Sequence, residues 1–417
     1  MSAPDTPPFV VASHPSRQGF FYRVPLAAQR CGLPGVFLTG LYYKPDRPAW
    51  RLAARLPGLA DRLPARREAE LDDARVVSPA GILPELLPRL TGGYRAANAL
   101  HDACAATWLR RRLATHPGPV VVHGAIGAAR DTFRAARRLG MTCVLEVTLP
   151  PGAQEVVAAA GAAAGLSVPA PRPQDRELEE LALADVVLAQ NRFSLELLRD
   201  RGVPPERLVL LPLGADLAAF RPAEGPRRPG PLRVLFVGHQ SVRKGLHHLL
   251  EAWDRLAPED AELLLAGPVT DGSGGALHRR HAGSFTDLGT VPHDRLPALY
   301  AEADLFVMPS LYEGGPLVVL EAMASGLPCL VTEAAASVVE PEESGLVVRS
   351  GDTAALAEGL RRLLEDARLR RRLGAAARTQ AADFGWDRHA ERLCRLYRSL
   401  GRGEPPPALT ELAPLRG

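Results

Sequence analysis

The sequence predicts an α/β protein with two parallel sheets, each in its own domain, facing one another across a cleft. Three observations carry that prediction. Short β-branched apolar runs alternate with amphipathic stretches along most of the chain, the pattern of right-handed βαβ units. The runs are too many for one sheet of ordinary size. A proline- and glycine-rich stretch at 220–233 interrupts them near mid-chain, and a new strand pattern begins at once with Val234.

Taken in order, the runs of the first half fall at 9–12, 36–39, 120–123, 143–147 and 186–189. Those of the second half fall at 234–237, 263–266, 305–308 and 329–331. Amphipathic stretches at 131–139, 193–199 and 245–255 supply helices between them. The chain therefore divides into a domain over 1–219, a linker over 220–233, a second domain over 234–385, a helix over 386–400 and a polar, proline-rich tail over 401–417. Residues 168–173, also rich in proline, read as a long loop inside the first domain.

Composition narrows the class. A chain of 417 residues, 46% hydrophobic and 23% charged, is neither disordered nor fibrous and can fill two or three cores. A net charge of +3 is too balanced to argue for nucleic acid. Lys44 and Lys244 are the only lysines, every other cation being arginine, a scarcity that codon bias in a GC-rich genome explains for the chain at large. Cys31, Cys104, Cys143, Cys329 and Cys394 are odd in number and widely spaced, and read as unpaired core residues in a reducing compartment. No signal-peptide pattern opens the sequence, and the longest weakly apolar stretch, 156–166, falls far short of the roughly 20 residues of a membrane span. The expectation is a cytoplasmic protein without metal or resident cofactor.

The richest chemistry lies at 303–331. A buried strand ends at Pro309-Ser310; Glu313-Gly314-Gly315-Pro316 follows; an apolar helix then runs from Leu317 to Ser325, closed by Gly326. Glycines admit a close approach to backbone, and a helix start offers free N–H groups and a partial positive charge, which suits an anion. Two carboxylates, Glu313 and Glu321, flank the same turn and are good acceptors for neighbouring hydroxyls. A ligand bearing both phosphate and sugar diols fits that mixture.

Glu313 and Glu321 in this setting resemble the Glu-x7-Glu motif of retaining glycosyltransferases of family 4, which have the GT-B fold: two Rossmann-like domains with a C-terminal crossover helix. The resemblance implies that Glu321 meets ribose hydroxyls and Glu313 the donor-sugar hydroxyls, with Gly314, Gly315, Pro316, Leu317 and Val318 bringing backbone to sugar and phosphate. The segment from Phe236 to Gly245, with Gly238, His239, Arg243 and Lys244, resembles the family's Val-Gly-Arg-…-Lys-Gly stretch, whose cations face the donor diphosphate. His239 stands where many members have arginine, so that cation is either missing or supplied by Arg243. Smaller matches at 181–194, 211–216 and 384–400 spread the resemblance over most of the chain.

The first half departs from the pattern. After the first strand the chain has His14, Arg17, Gln18 and Gly19 in place of a double glycine, and Gln18, Gly19 and His14 are the candidate contacts for phosphate or acceptor. His123 ends a strand at a position resembling the family's histidine near the reacting carbon, with a structural role as the alternative. Glu146 ends the next strand. Arginines 51, 55, 62, 66 and 67, interleaved with leucines, form either a solvated face or a peripheral contact with anionic lipid at the inner face of a membrane.

The implied activity is retaining transfer of a sugar from a nucleoside diphosphate-sugar to an acceptor hydroxyl, with Glu313, Lys244, Arg243 and His123 at the reacting centre. Acceptors are expected among saccharides, lipid-linked sugars or small molecules, in cell-surface polysaccharide or glycolipid assembly. Rival expectations are another GT-B enzyme (an epimerase or a phosphorylase) and a non-catalytic partner subunit of the same fold.

Overall fold

The computed structural model describes residues 6–15, 19–48, 50, 63, 66–81, 94–170, 172, 174–225, 229–270 and 272–407. The first sheet has seven parallel strands: β1 (Phe9–His14), β2 (Gly35–Thr39), β3 (Val76–Val77), β4 (Val120–Ala125), β5 (Thr142–Val147), β6 (Val186–Ala189) and β7 (Leu208–Leu210). Their order is β3-β2-β1-β4-β5-β6-β7. The second has six: β8 (Leu232–Val237), β9 (Ala261–Ala266), β10 (Thr286–Gly289), β11 (Leu305–Met308), β12 (Cys329–Thr332) and β13 (Gly345–Val348), in the order β10-β9-β8-β11-β12-β13. Strand order reverses beside β1 and β4 in one sheet and beside β8 and β11 in the other. At such reversals the carboxyl ends of strands open a crevice.

Each expected apolar run is a strand, while four strands escaped the sequence pattern. β3 and β7 are very short, β10 is an exposed edge reading Thr-Asp-Leu-Gly, and β13 begins on glycine. β8 starts at Leu232, ahead of the expected Val234, because Arg233 is held in the ladder by Glu262 and Glu302, each at 2.7 Å. Both faces of the first sheet and the interior of the second domain carry apolar cores.

The helix Trp386–Gly401 returns to the first domain. Leu393, Leu396 and Tyr397 join the core on the β1 side, packed with the helix Arg23–Arg30. Trp386 sits so tightly at Gly214 that a Cβ there would lie 2.8 Å from its backbone. Cys31 and Cys394 form a disulfide between these two helices, with Cα atoms 6.3 Å apart. The expectation of five unpaired cysteines is thereby corrected: Cys104, Cys143 and Cys329 alone are free, and the cysteines no longer argue for a reducing compartment. The pairing joins residues 363 positions apart, a distance over which no local pattern speaks. No helix among the described residues is long and apolar enough to cross a membrane.

Candidate active site

The site grows from the carboxyl ends of β8 and β11. β8 ends at Val237, and the chain turns through residues 238–245 into the helix Leu246–Leu256. That turn is pressed onto the end of β11. A Cβ on Gly245, whose φ is +70°, would lie 1.8 Å from the Pro309 carbonyl oxygen, so only glycine allows the approach. The approach brings Lys244 and Arg243 over the loop that follows β11.

There the cations meet Glu313. The Lys244 Nζ is 2.6 Å and the Arg243 Nη1 3.1 Å from the same carboxylate oxygen, to which Ser310 Oγ also donates at 2.8 Å. Arg243 also donates to the Tyr312 carbonyl at 2.9 Å. Glu313 is 5% and Lys244 8% exposed. Burial works to raise the Glu313 pKa, but the Lys244 and Arg243 charges and the donated hydrogen bonds outweigh it and hold the carboxyl below its usual range. For Lys244, burial dominates and draws the ammonium below its usual value, although Glu313 opposes it. Partial burial, with the Lys244 and Arg243 charges, keeps His239 low as well.

Glu321 lies on the helix Leu317–Ala324, which Pro316 caps; Leu317 and Val318 occupy its first turn. Tyr300 donates to one Glu321 oxygen at 3.2 Å, and His293 reaches the other at 3.2 Å. His293 and Tyr300 were not foreseen. They reach Glu321 from the segment after β10, and nothing in the local sequence marks the contact. The hydrogen bond to Glu321 raises the His293 pKa against a smaller opposing effect of burial.

The glycine pair behaves differently from the expectation of a ligand cradle. A Cβ on Gly314 would lie 1.6 Å from the Thr148 carbonyl oxygen, and one on Gly315 2.4 Å from Gln190 Oε1. Ser194 Oγ donates to the Glu313 carbonyl at 3.0 Å, and Tyr312 donates to the Pro151 carbonyl at 2.9 Å. In this structure the close approach to both glycines comes from the loops after β5 and β6, which seat the second domain on the first.

Beside that seam a cleft of about 310 Å³ is lined by Leu149, Ala153 and Val157 from one domain and His239, Ser241, Arg243 and Thr270 from the other. A larger hollow of about 790 Å³, behind Tyr300 and lined by Pro222, Arg233 and Gly326, lies away from Glu313. His123 is buried in the first domain and bonded to Tyr397, with Glu146 alongside. His14 ends β1 with its ring stacked on Phe21, and Gly19 opens a 3-10 turn. Gln18 and Arg17 lie outside the described residues, as do Arg51, Arg55 and Arg62.

Residues 231–366 match the family Glycosyl transferases group 1. The match lies within the second domain and the end of the linker before it. Among curated members, the D-inositol 3-phosphate glycosyltransferase of Nocardia farcinica is 34% identical over 253 residues, 55% of this chain and 56% of that protein. The alpha-D-kanosaminyltransferase of Streptomyces kanamyceticus is 28% identical over 240 residues, 52% of this chain and 61% of that protein. The matched stretch thus spans little more than half the length of these group 1 relatives. The architecture extends further. Sucrose-phosphate synthase from Thermosynechococcus elongatus superposes with a TM-score of 0.69 at 22% identity, covering 96% of this chain and all of that one. HepE of Anabaena, solved with UDP-glucose, gives 0.60 at 16%, covering 92% and 98%. At such identities the likeness is one of fold, and the fold is GT-B.

Proposed function

We propose that this protein is a retaining glycosyltransferase that moves a sugar from a nucleoside diphosphate-sugar to an acceptor hydroxyl. The observation that carries the reading is the meeting of Lys244, Arg243 and Glu313 at the carboxyl ends of β8 and β11. Two cations beside a sugar-binding carboxylate are what a departing diphosphate requires, since negative charge grows on its bridging oxygen as the bond to the anomeric carbon breaks. Lys244 and Arg243 take that role, assisted by His239 and the Gly238 turn. Glu313 accepts from donor-sugar hydroxyls, and Glu321 from the ribose diol in exchange for its present donors Tyr300 and His293. The backbone amides of Gly315, Leu317 and Val318 face sugar and phosphate.

On this reading the bond between the anomeric carbon and the phosphate oxygen breaks with its electron pair going to the phosphate. The acceptor oxygen bonds to the same face of the carbon, and its proton passes to the departing phosphate. No protein nucleophile is needed; positioning and electrostatics supply the rate. The acceptor enters from the first domain, whose cleft wall at Leu149, Ala153 and Val157 faces Arg243. Cell-surface polysaccharide or glycolipid assembly supplies acceptors of suitable kind. HepE was solved with UDP and with UDP-glucose, which makes UDP-sugars the first donors to try. Calorimetric titration with UDP-, GDP- and ADP-sugars tests the reading. Binding of one class, weakened by Glu321→Ala, is expected; silence from all of them overturns it.

A further inference from the structure

The donor chemistry leaves a buried polar cluster of the first domain unused. His123, within β4, is 3% exposed, and Glu146, near the end of β5, is 5% exposed. Glu146 Oε2 stands 3.4 Å from His123 Nε2. The two side chains are close without an aligned hydrogen bond, since Nε2 has no hydrogen-bond partner. On the other side of the ring the Tyr397 hydroxyl of the last helix shares a hydrogen bond of 2.6 Å with Nδ1. The other Glu146 oxygen accepts from Gln190 Nε2 at 2.9 Å. That commitment turns the Gln190 carbonyl oxygen toward Gly315, where no Cβ could fit. A continuous line of contacts therefore runs from Tyr397 through His123, Glu146 and Gln190 to the turn that carries Glu313.

We propose that Glu146 is a positioning residue for the transfer step: through Gln190 it seats the Gly314–Gly315 turn, and with it Glu313, against the first domain. The kinetic part of this rests on the transferase reading above.

A buried carboxylate is costly unless it is paired and hydrogen-bonded, and Glu146 offsets that cost through its neighbours. The groups facing it are His123 from β4, Gln190 after β6, and His389 and Tyr397 from the last helix. Burial pushes its pKa up, but His123, His389 and the Gln190 amide outweigh burial and hold Glu146 ionised below its usual range. The ionised carboxylate faces His123 with one oxygen and accepts from Gln190 with the other. Because Glu146 and Gln190 belong to the first domain and Gly315 to the second, the contact exists only while the domains are together. Nucleotide held by the second domain should scarcely feel its loss, whereas the placement of the donor sugar should.

The test uses Glu146→Gln and Gln190→Ala in the full chain, with UDP, GDP and ADP as binding probes and the preferred nucleotide-sugar as substrate. Both variants should speed amide exchange at residues 313–317 by about fivefold. Both should lower kcat by about tenfold or more, since small misplacements are expensive. The nucleoside diphosphate Kd should stay within about twofold, and the double variant should be no slower than the slower single one. Unchanged exchange, or a Kd that weakens in step with kcat, overturns the proposal. If Glu146→Gln fails to fold, Gln190→Ala decides alone. A wild-type chain that turns over no nucleotide-sugar defeats the transferase reading, and amide exchange still decides the seating.

Discussion

The Lys244 ammonium lies 2.6 Å from a Glu313 carboxylate that is itself almost wholly buried. Removing one partner of such a pair leaves an uncompensated buried charge, at a cost of about 3 kcal/mol. The other lysine serves the fold instead. Lys44 donates to the carbonyls of Asp73 at 2.6 Å and Val76 at 2.7 Å, fastening the segment that ends in β3. Lys44→Ala should therefore lower the melting temperature and spare turnover. Lys244→Ala should lower turnover by about a hundredfold or more. Steady-state kinetics and thermal unfolding on both variants separate the two roles; equal small effects would deny Lys244 its place.

Acid should find the same pair. The Glu313 pKa in the folded chain lies below its ordinary 4.5, so its contribution to stability is complete above that value and is lost as pH falls through the lower folded-state value. Unfolding measured from pH 7 downward should steepen below about 4.5 in the wild type. Glu313→Gln should flatten that limb. An identical acid limb in both proteins would contradict the assignment.

His293 titrates with the opposite sign. Its pKa is raised above the ordinary 6.5 by Glu321, so the stabilisation is present at lower pH and fades as pH rises through the folded-state value. NMR titration should place His293 above 6.5 in the wild type and bring it down in Glu321→Gln. A value that ignores the substitution would mean that the two side chains do not interact in solution.

Steric demand at the seam can be read by adding one methyl group. Gly314→Ala drives a Cβ into the Thr148 carbonyl and should cost about 1–3 kcal/mol of stability. Gly272→Ala, whose Cβ would meet nothing within 4 Å, is the control and should be nearly neutral. Equal melting temperatures for the two variants would show that the domains do not rest on Gly314.

Thiol counting checks the covalent tie. Denatured protein without reductant should titrate only Cys104, Cys143 and Cys329, and reduction should release Cys31 and Cys394 as well. Five reactive thiols before reduction would remove the disulfide.

Much of the fold was legible because buried parallel strands need unbroken apolar runs, as at 120–123 and 305–308, and those runs are local. The strands that escaped, such as the exposed edge β10, carry no such run. The site divides in the same way. Lys244 and Glu313 stand in short segments whose glycines and prolines announce tight turns, so both could be named from sequence. Gln190, His293 and Tyr300 reach the site through the packing of elements far apart in the chain, and topology leaves no local trace. The glycine pair was legible as a place of close approach. What approaches it, the Thr148 carbonyl and the Gln190 side chain, was not.

The returning helix also sets an order of assembly during synthesis. A nascent chain that has emerged only as far as β7 exposes the apolar face beside helix Arg23–Arg30 that Leu393, Leu396 and Tyr397 will later cover. The half made first therefore completes its core only once the helix Trp386–Gly401 has been made. A substitution at Leu393, Leu396 or Tyr397 is thus felt in the first domain, whose core they complete.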